Sequence, residues 1–304
     1  MHRTSTNKLV DLDIAATLVS DGDIVALGGG LSHREPMALV REIIRQKRRD
    51  LHLIGSAHGI DVDLLVAAGC VSIVEESYVG FEQDHGLAPA FRRAAQERTI
   101  ECRETCCYTM LQQLRAAEYG LPFMPVRGIA GTDIASLHPE YRVVKNPYGD
   151  DWLFAVPPLV PDVALIHVVH ADKSGNAIIP RPMVLDERFA HAAKKVLVTA
   201  ETVLEAGEIA PEDVVVPHFL VDAVVEAPLG AHPTSCYPTY TYDRDHIGDW
   251  VQRAATAGGA KEYLRDWVVL DGGEAAYRDR VGSLRAGQLA EWSSSDARWQ
   301  ELMA

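Results

Sequence analysis

Asp21-Gly22-Asp23-Ile24-Val25-Ala26-Leu27-Gly28-Gly29-Gly30-Leu31-Ser32-His33-Arg34-Glu35-Pro36 reads as an acid–glycine turn, a short apolar strand over residues 23–27, three glycines and the opening of a helix. Pro36 suits a first helical turn, where a backbone N–H has no helical partner to lose. The following PMALVREIIRQ, residues 36–46, places Met37, Val40, Ile43 and Ile44 on one face, the spacing of an amphipathic helix. A strand, a glycine turn and a helix form the repeating unit of an open α/β sheet. In such a sheet the end of the strand is where ligands collect. Glycines there let the backbone approach a ligand and aim N–H groups at an anion or a carbonyl oxygen. A dinucleotide fingerprint fits poorly. Its third glycine would fall at His33, and Asp50, about twenty residues on, precedes the second strand instead of ending it.

The same alternation extends outward. Strands are expected at 51–54 and 71–74, helices at 62–68, closed by Gly69, and at 88–98, an extended piece around 100–102, and a helix over 105–119 ending at Gly120. It resumes with a strand over 163–169, a helix over 187–195, a strand over 196–200 and extended pieces at 214–216 and 221–227. This order predicts an α/β fold with an open, mainly parallel sheet and helices on both faces. Residues 121–160 carry Pro122, Pro125, Pro139, Pro147, Pro157 and Pro158 with Gly128, Gly131 and Gly149. That punctuation predicts a long irregular, functional segment. Beyond Tyr242 the pattern is helical, with Trp250, Trp267 and Trp292 among charges. The expected organisation is an α/β domain over 1–242 and a helical C-terminal extension over 243–304 that packs or contacts a partner.

Composition narrows the function. Twenty-nine Lys and Arg against 43 Asp and Glu give a net charge of −14 over 304 residues, which repels a polyanion, so no nucleic-acid partner is expected. No apolar run reaches the length of a membrane span and the N-terminal residues do not read as a secretory leader, so a cytoplasmic location is expected. Five cysteines argue against a disulfide framework. Cys102, Cys106 and Cys107 lie close together, but Cys70 and Cys236 are singletons, so buried thiols are expected and no metal.

The stretch over 21–36 resembles the N-terminal signature of the α subunits of family I coenzyme A transferases. Gly30 stands where that signature has phenylalanine and Arg34 where it has a later glycine. PMALVREI at 36–43, LPFMPVRG at 121–128 with Gly131-Thr132-Asp133, DVALIHVVHADKSGNA at 162–177 and VDAVVEAPLGAHPTS at 221–235 resemble the glutaconate CoA-transferase branch, in the same order. The resemblance implies the coenzyme A transferase/ribose-5-phosphate isomerase-like fold. It implies transfer of CoA between an acyl-CoA and a carboxylic acid through a glutamyl-CoA thioester. The nucleophilic glutamate of this family lies on the β half in a Ser-Glu-Asn-Gly type motif, which these 304 residues lack. A β subunit of similar fold, in an α2β2 complex, is therefore the expected partner. The acyl-CoA thioester is the expected substrate, and no permanently bound cofactor is expected.

Within that frame Gly28, Gly29 and Gly30 are expected to donate backbone N–H groups to an oxyanion, with Ser32 as a side-chain donor. Glu75, Glu76 and Tyr78, after the third strand, are expected to line the pocket, and Arg127 to bind a carboxylate or CoA phosphate or to pair structurally. Glu101 and Glu104 read either as a general base raised by apolar surroundings or as helix-end partners. His167, His170 and His232 are expected to orient backbone, and Asp172, Gly175 and Asn176 to form a loop. Some relatives in this branch hydrolyse a carbon–carbon bond in cyclic acyl-CoA compounds through an α-subunit glutamate, and the departures at Gly30 and Arg34 keep that chemistry open. A non-catalytic ligand sensor of the same fold is the remaining alternative. Its usual DNA-binding module does not fit into residues 1–12.

Overall fold

A computed structural model describes residues 7–180 and 183–294. The glycine turn follows β1 (Ile24–Leu27), the central strand of the fold. The other strands, in chain order, are β2 (Leu51–Ile54), β3 (Ala57–His58), β4 (Val71–Glu76), β5 (Tyr78–Val79), β6 (Glu101–Glu104), β7 (Met124–Val126), β8 (Arg142–Lys145), β9 (Trp152–Val156), β10 (Val163–Asp172), β11 (Ala177–Ile178), β12 (Val196–Leu204) and β13 (Ala223–Glu226). The main sheet runs β13-β12-β10-β1-β2-β4-β6, every one of these pairings parallel, and β11 adds antiparallel to β10. The expected mainly parallel sheet with helices on both faces is present.

Alternation along the strands sorts side chains to the two faces. Val25 and Leu27 of β1 join one apolar cluster with the helices Met37–Arg45, Ile60–Ala67 and Pro89–Glu97. Ala26, with Ala164 and Ile166 of β10, joins the other, against the helices Cys107–Glu118 and Asp186–Ala192. Strands buried on both faces read as continuous apolar runs, which is why DVALIHVV was legible.

Boundaries shift where neighbours support a longer element. β10 and β12 stay in register from Ala164↔Val196 to Asp172↔Leu204, beyond their expected ends at Val169 and Ala200. The piece at 214–216 forms only a single bridge, Val216 to Ala177. Residues 121–160 are not irregular throughout. They form a three-stranded antiparallel sheet, β7-β9-β8, over a small core of Val126, Ile129, Tyr141 and Val156. Pro125 is tolerated because β7 is an edge strand with one side unpaired.

The C-terminal helices are part of the main core. Ile247, Trp250 and Ala254 of the helix Arg244–Ala254, and Ala260 and Tyr263 of the next, belong to the cluster that covers β1. Trp250 is fully buried, its indole Nε1 donating to Asp63 Oδ2 at 2.9 Å, and Trp267 packs partly buried beside it. The side chain of Trp292 lies outside the described residues. Trp250 and Trp267 thus act as core anchors and not as exposed partner contacts. No described helix is long and apolar enough to cross a membrane.

Candidate functional site

From β1 the chain builds outward through β2, β4 and β6, and from β10 in the other direction through β12 and β13, so the topological switch lies between β1 and β10. Gly28–Gly30 sit at its carboxyl end, as expected. Their N–H groups are nevertheless engaged. Gly28 donates to Leu165 O at 2.9 Å, Gly29 to Asp186 Oδ1 at 2.9 Å and Gly30 to His33 O at 2.9 Å. The space above the turn is taken by a buried ion pair, with Arg34 Nη1 and Nη2 lying 2.9 and 3.1 Å from the two oxygens of Asp186. Burial pushes the Asp186 carboxyl up, but the Arg34 charge and its hydrogen bonds outweigh this and hold it below its usual range. The N–H groups of the three glycines thus bond within the protein, to its own backbone and to the carboxylate of the ion pair.

Gly29 has φ +74°, and a Cβ there would overlap the backbone of His33 and Arg34. Gly29→Val is accordingly expected to abolish folding, and not merely turnover, because neither the φ nor the overlap can be relieved by a side-chain shift. Soluble yield and a melting curve check this. A native Tm would refute it.

The polar residues of the sheet edge separate by face. In β4, Glu75 and Glu76 point to opposite sides, as adjacent strand residues must. Glu75 Oε2 lies 3.1 Å from His52 Nε2. Glu75 is in register with Arg103 of β6, whose Nε donates to Glu101 Oε1 at 2.7 Å. That hydrogen bond holds the Glu101 carboxyl below its usual range, opposite to the raised value expected of a buried base. On the other face Glu76 is in register with Glu104, and Val74 with Cys102. Glu76, Tyr78, Phe91, Cys102 and Glu104 line a cleft of about 240 Å³. Of the two acids flagged on β6, the structure brings Glu104 to this cleft together with Tyr78, and leaves Glu101 and Glu75 on the opposite face.

Behind the cleft, Glu76 meets three buried residues that the sequence reading did not single out, His58, Asp61 and Glu35. His58 Nδ1 lies 2.9 Å from Glu76 Oε1, and its Nε2 lies 3.9 Å from Asp61 Oδ2. Glu35 accepts from the N–H groups of Gly59 at 3.0 Å and Asp61 at 3.2 Å, at the start of the helix Ile60–Ala67. Burial pulls the imidazole down, yet Glu76 and Asp61 outweigh it and push His58 up to about 10. Burial and then the Asp61 charge push Glu35 well above the usual carboxylate range. Burial likewise raises Asp61 and Glu76 against the opposing charge of His58. The signal available in the sequence was Asp61 and Asp63 in the otherwise apolar IDVDLLVA.

The remaining candidates lie elsewhere. Ser32 lines a second cleft with Phe81, Asp84, His85 and Tyr242. Arg127 is largely exposed, its Nη2 2.6 Å from Asp151 Oδ2, which is the structural pairing. His167 and His232 contact side chains and not backbone as expected: His167 bonds Thr199 and Glu201, and His232 bonds Tyr277 and Asp243. His170 is half-buried, with no hydrogen-bond partner for Nδ1 among the described residues. Asp172 Oδ1 accepts from the N–H groups of Ser174, Gly175 and Asn176, closing a tight loop. Two buried trios bring ligand-type atoms within 4.8 Å of one another, His167 with Glu201 and Cys236, and His232 with Asp243 and His246. Tyr240 donates to Glu201 in the first, and Arg285 binds Asp243 through two nitrogens in the second, so both trios already carry internal hydrogen bonds.

Residues 10–227 match the family described as coenzyme A transferase. An uncharacterized protein of Archaeoglobus fulgidus is 37% identical over 259 residues, 84% of this chain, and the chain spans 58% of that relative's length. The A-type subunit of glutaconate CoA-transferase from Acidaminococcus fermentans is 31% identical over 291 residues, covering 90% of this chain and 91% of the relative. The crystal structure of that enzyme superposes with a TM-score of 0.89 at 30% identity, over 93% of this chain and 95% of that one. The cholesterol ring-cleaving hydrolase IpdA subunit of Mycobacterium tuberculosis is 31% identical over 293 residues, 93% of this chain and 99% of the relative. The switch-point turn, the parallel sheet order and the match across most of the chain agree: this protein is an enzyme subunit that belongs to the coenzyme A transferase family.

Proposed function

We propose that this chain is the A-type subunit of a heteromeric coenzyme A transferase that moves CoA between an acyl-CoA and a carboxylic acid, with the glutamyl-CoA thioester forming on a partner of similar fold in an α2β2 assembly. The observation that carries this reading is the superposition on glutaconate CoA-transferase over nearly the whole of both chains. The engaged Gly28–Gly30 turn agrees with it, because a chain whose switch point is closed by its own ion pair supplies scaffold and pocket wall more readily than a reacting group. Covalent catalysis through a partner carboxylate divides one difficult exchange into smaller steps.

A second reading is hydrolysis of a carbon–carbon bond in a cyclic acyl-CoA. What favours it is the cleft in which this chain itself supplies two acids in register, Glu76 and Glu104. One experiment separates the two. The complex is co-expressed with the neighbouring reading frame, loaded with acyl-CoA, treated with hydroxylamine or borohydride, and mapped by peptide mass. For a transferase, a glutamate of the partner is modified, this chain is unmodified, and Glu104→Gln lowers the rate by less than about tenfold. For a hydrolase, no glutamate is trapped and Glu104→Gln costs on the order of 10²–10⁴ in rate, the scale of a lost general base. An adduct on this chain would refute both.

A further inference from the structure

The cleft that Ser32 lines has a volume of about 240 Å³ and opens where the chain leaves the glycine turn. Leu31, Phe81, the Tyr242 ring and the buried Ile247 give it apolar walls. Two of its non-glycine residues are left-handed, Leu31 at φ +55° and Glu82 at φ +49°. Neither is loose. Leu31 N donates to Ala57 O at 2.8 Å, and Glu82 N donates to the Tyr78 hydroxyl at 3.1 Å. Gly80 makes room for that hydroxyl, which a Cβ there would overlap. Backbone strain held this firmly collects at ligand sites, and apolar walls with a few placed polar groups are what a small-molecule subsite requires.

The polar groups decide what fits. Ser32 supplies a neutral hydroxyl, and the acids of the lining are Glu82 and Asp84. Among the described residues the lining holds neither Lys nor Arg. Arg244, in the adjoining groove, is committed to Asp84: its Nη2 lies 2.8 Å from Oδ1, while Tyr242 donates to Oδ2 at 2.7 Å. The His85 imidazole is taken up by backbone, with Nε2 3.3 Å from Arg244 O. These acids repel the phosphate-bearing end of CoA, which leaves the acyl tail as the part of a thioester that the cleft can hold.

We propose that this cleft is the subsite for the acyl tail, and that it selects CoA thioesters with an apolar, uncharged tail over those whose tail ends in a second carboxylate. The inference rests on the reading of this chain as a subunit acting on acyl-CoA, and narrows that reading to a substrate class. An apolar tail against Leu31, Phe81 and Ile247 leaves water at a gain. A terminal carboxylate would lose its water beside like charge, with no cation to pair it.

The test is titration calorimetry of the complex with its partner chain, using hexanoyl-CoA and adipoyl-CoA, which share a chain length and differ in the terminal carboxylate. Hexanoyl-CoA is expected to bind at least about tenfold more tightly. Equal affinity, tighter binding of adipoyl-CoA, or no binding of either overturns the proposal. Glu82→Lys assigns the preference to this cleft, because it places an unpaired cation at the rim: the ratio of the two dissociation constants should shift toward adipoyl-CoA by at least about tenfold. Should that variant fail to fold, Glu82→Gln carries the same test, with an expected shift of about threefold in the same direction. An unmoved ratio in the variant that folds overturns the assignment. Preferential binding of hexanoyl-CoA by a complex that neither transfers CoA nor cleaves the acyl group would refute the function reading and leave the subsite standing.

Discussion

Asp186→Ala is expected to destabilise the protein by about 3–5 kcal/mol, the largest single effect at the switch point. Both members of the Arg34–Asp186 pair are fully buried, so the substitution leaves a guanidinium in the interior without its bidentate partner. It also removes the acceptor of Gly29 N–H, adding the cost of an unsatisfied buried donor. Asp186→Asn keeps an oxygen for Gly29 but not the charge, and should lose less. Arg34→Met combined with Asp186→Asn should recover most of the loss, since a buried ion pair replaced as a pair is often close to neutral. Urea denaturation of the four proteins measures this. A double variant no better than Asp186→Ala, or a single variant within about 1 kcal/mol of wild type, would show that the pair does not close the turn.

Trp250→Ala is expected to cost a further-reaching loss, about 3–5 kcal/mol, by opening a cavity where the C-terminal helices meet the main core. It also removes a hydrogen bond from Asp63, whose other oxygen accepts from Phe91 N at 2.6 Å and so ties three helices together. Burial pushes Asp63 up from 3.8 to about 7, opposed by those two donors. The sign follows from a folded-state value above the unfolded one. The contribution of Asp63 to stability is complete below about pH 4 and is lost as pH rises through 7. Asp63→Asn should flatten that decline. Trp250→Phe keeps a smaller aromatic ring at this position but removes the donor, so Asp63 rises further and the decline extends to higher pH. Stability measured by urea between acid and mildly alkaline pH checks both. An Asp63→Asn profile parallel to wild type would refute the assignment.

Much of the architecture was legible because it depends on local pattern. β1, β2 and β4 with their helices show apolar runs and 3.6-residue spacing that no distant contact has to supply. The long ends of β10 and β12 were not legible, since each is extended by the other's backbone groups over residues whose own pattern is polar, such as His170-Ala171-Asp172. The same holds for β7, β8 and β9, where prolines and glycines masked a small sheet that only its cross-strand pairs and the Tyr141 core stabilise.

For the site the division is sharper. The glycine turn, the acids of β4 and β6 and the family resemblance all follow from residues adjacent in the chain. Which of those residues face one another does not. Parallel register places Glu76 opposite Glu104 and turns Glu75 and Glu101 away, and a slip of one residue would have exchanged the sets. Arg34 with Asp186 and His58 with Glu76 meet across 152 and 18 positions of chain. Residue order established the strands, the turn and the kinship. The pairing of charges, and with it whether a turn donates to a ligand or to its own protein, was decided by tertiary packing, because a buried polar group must be satisfied by whatever the fold brings within reach.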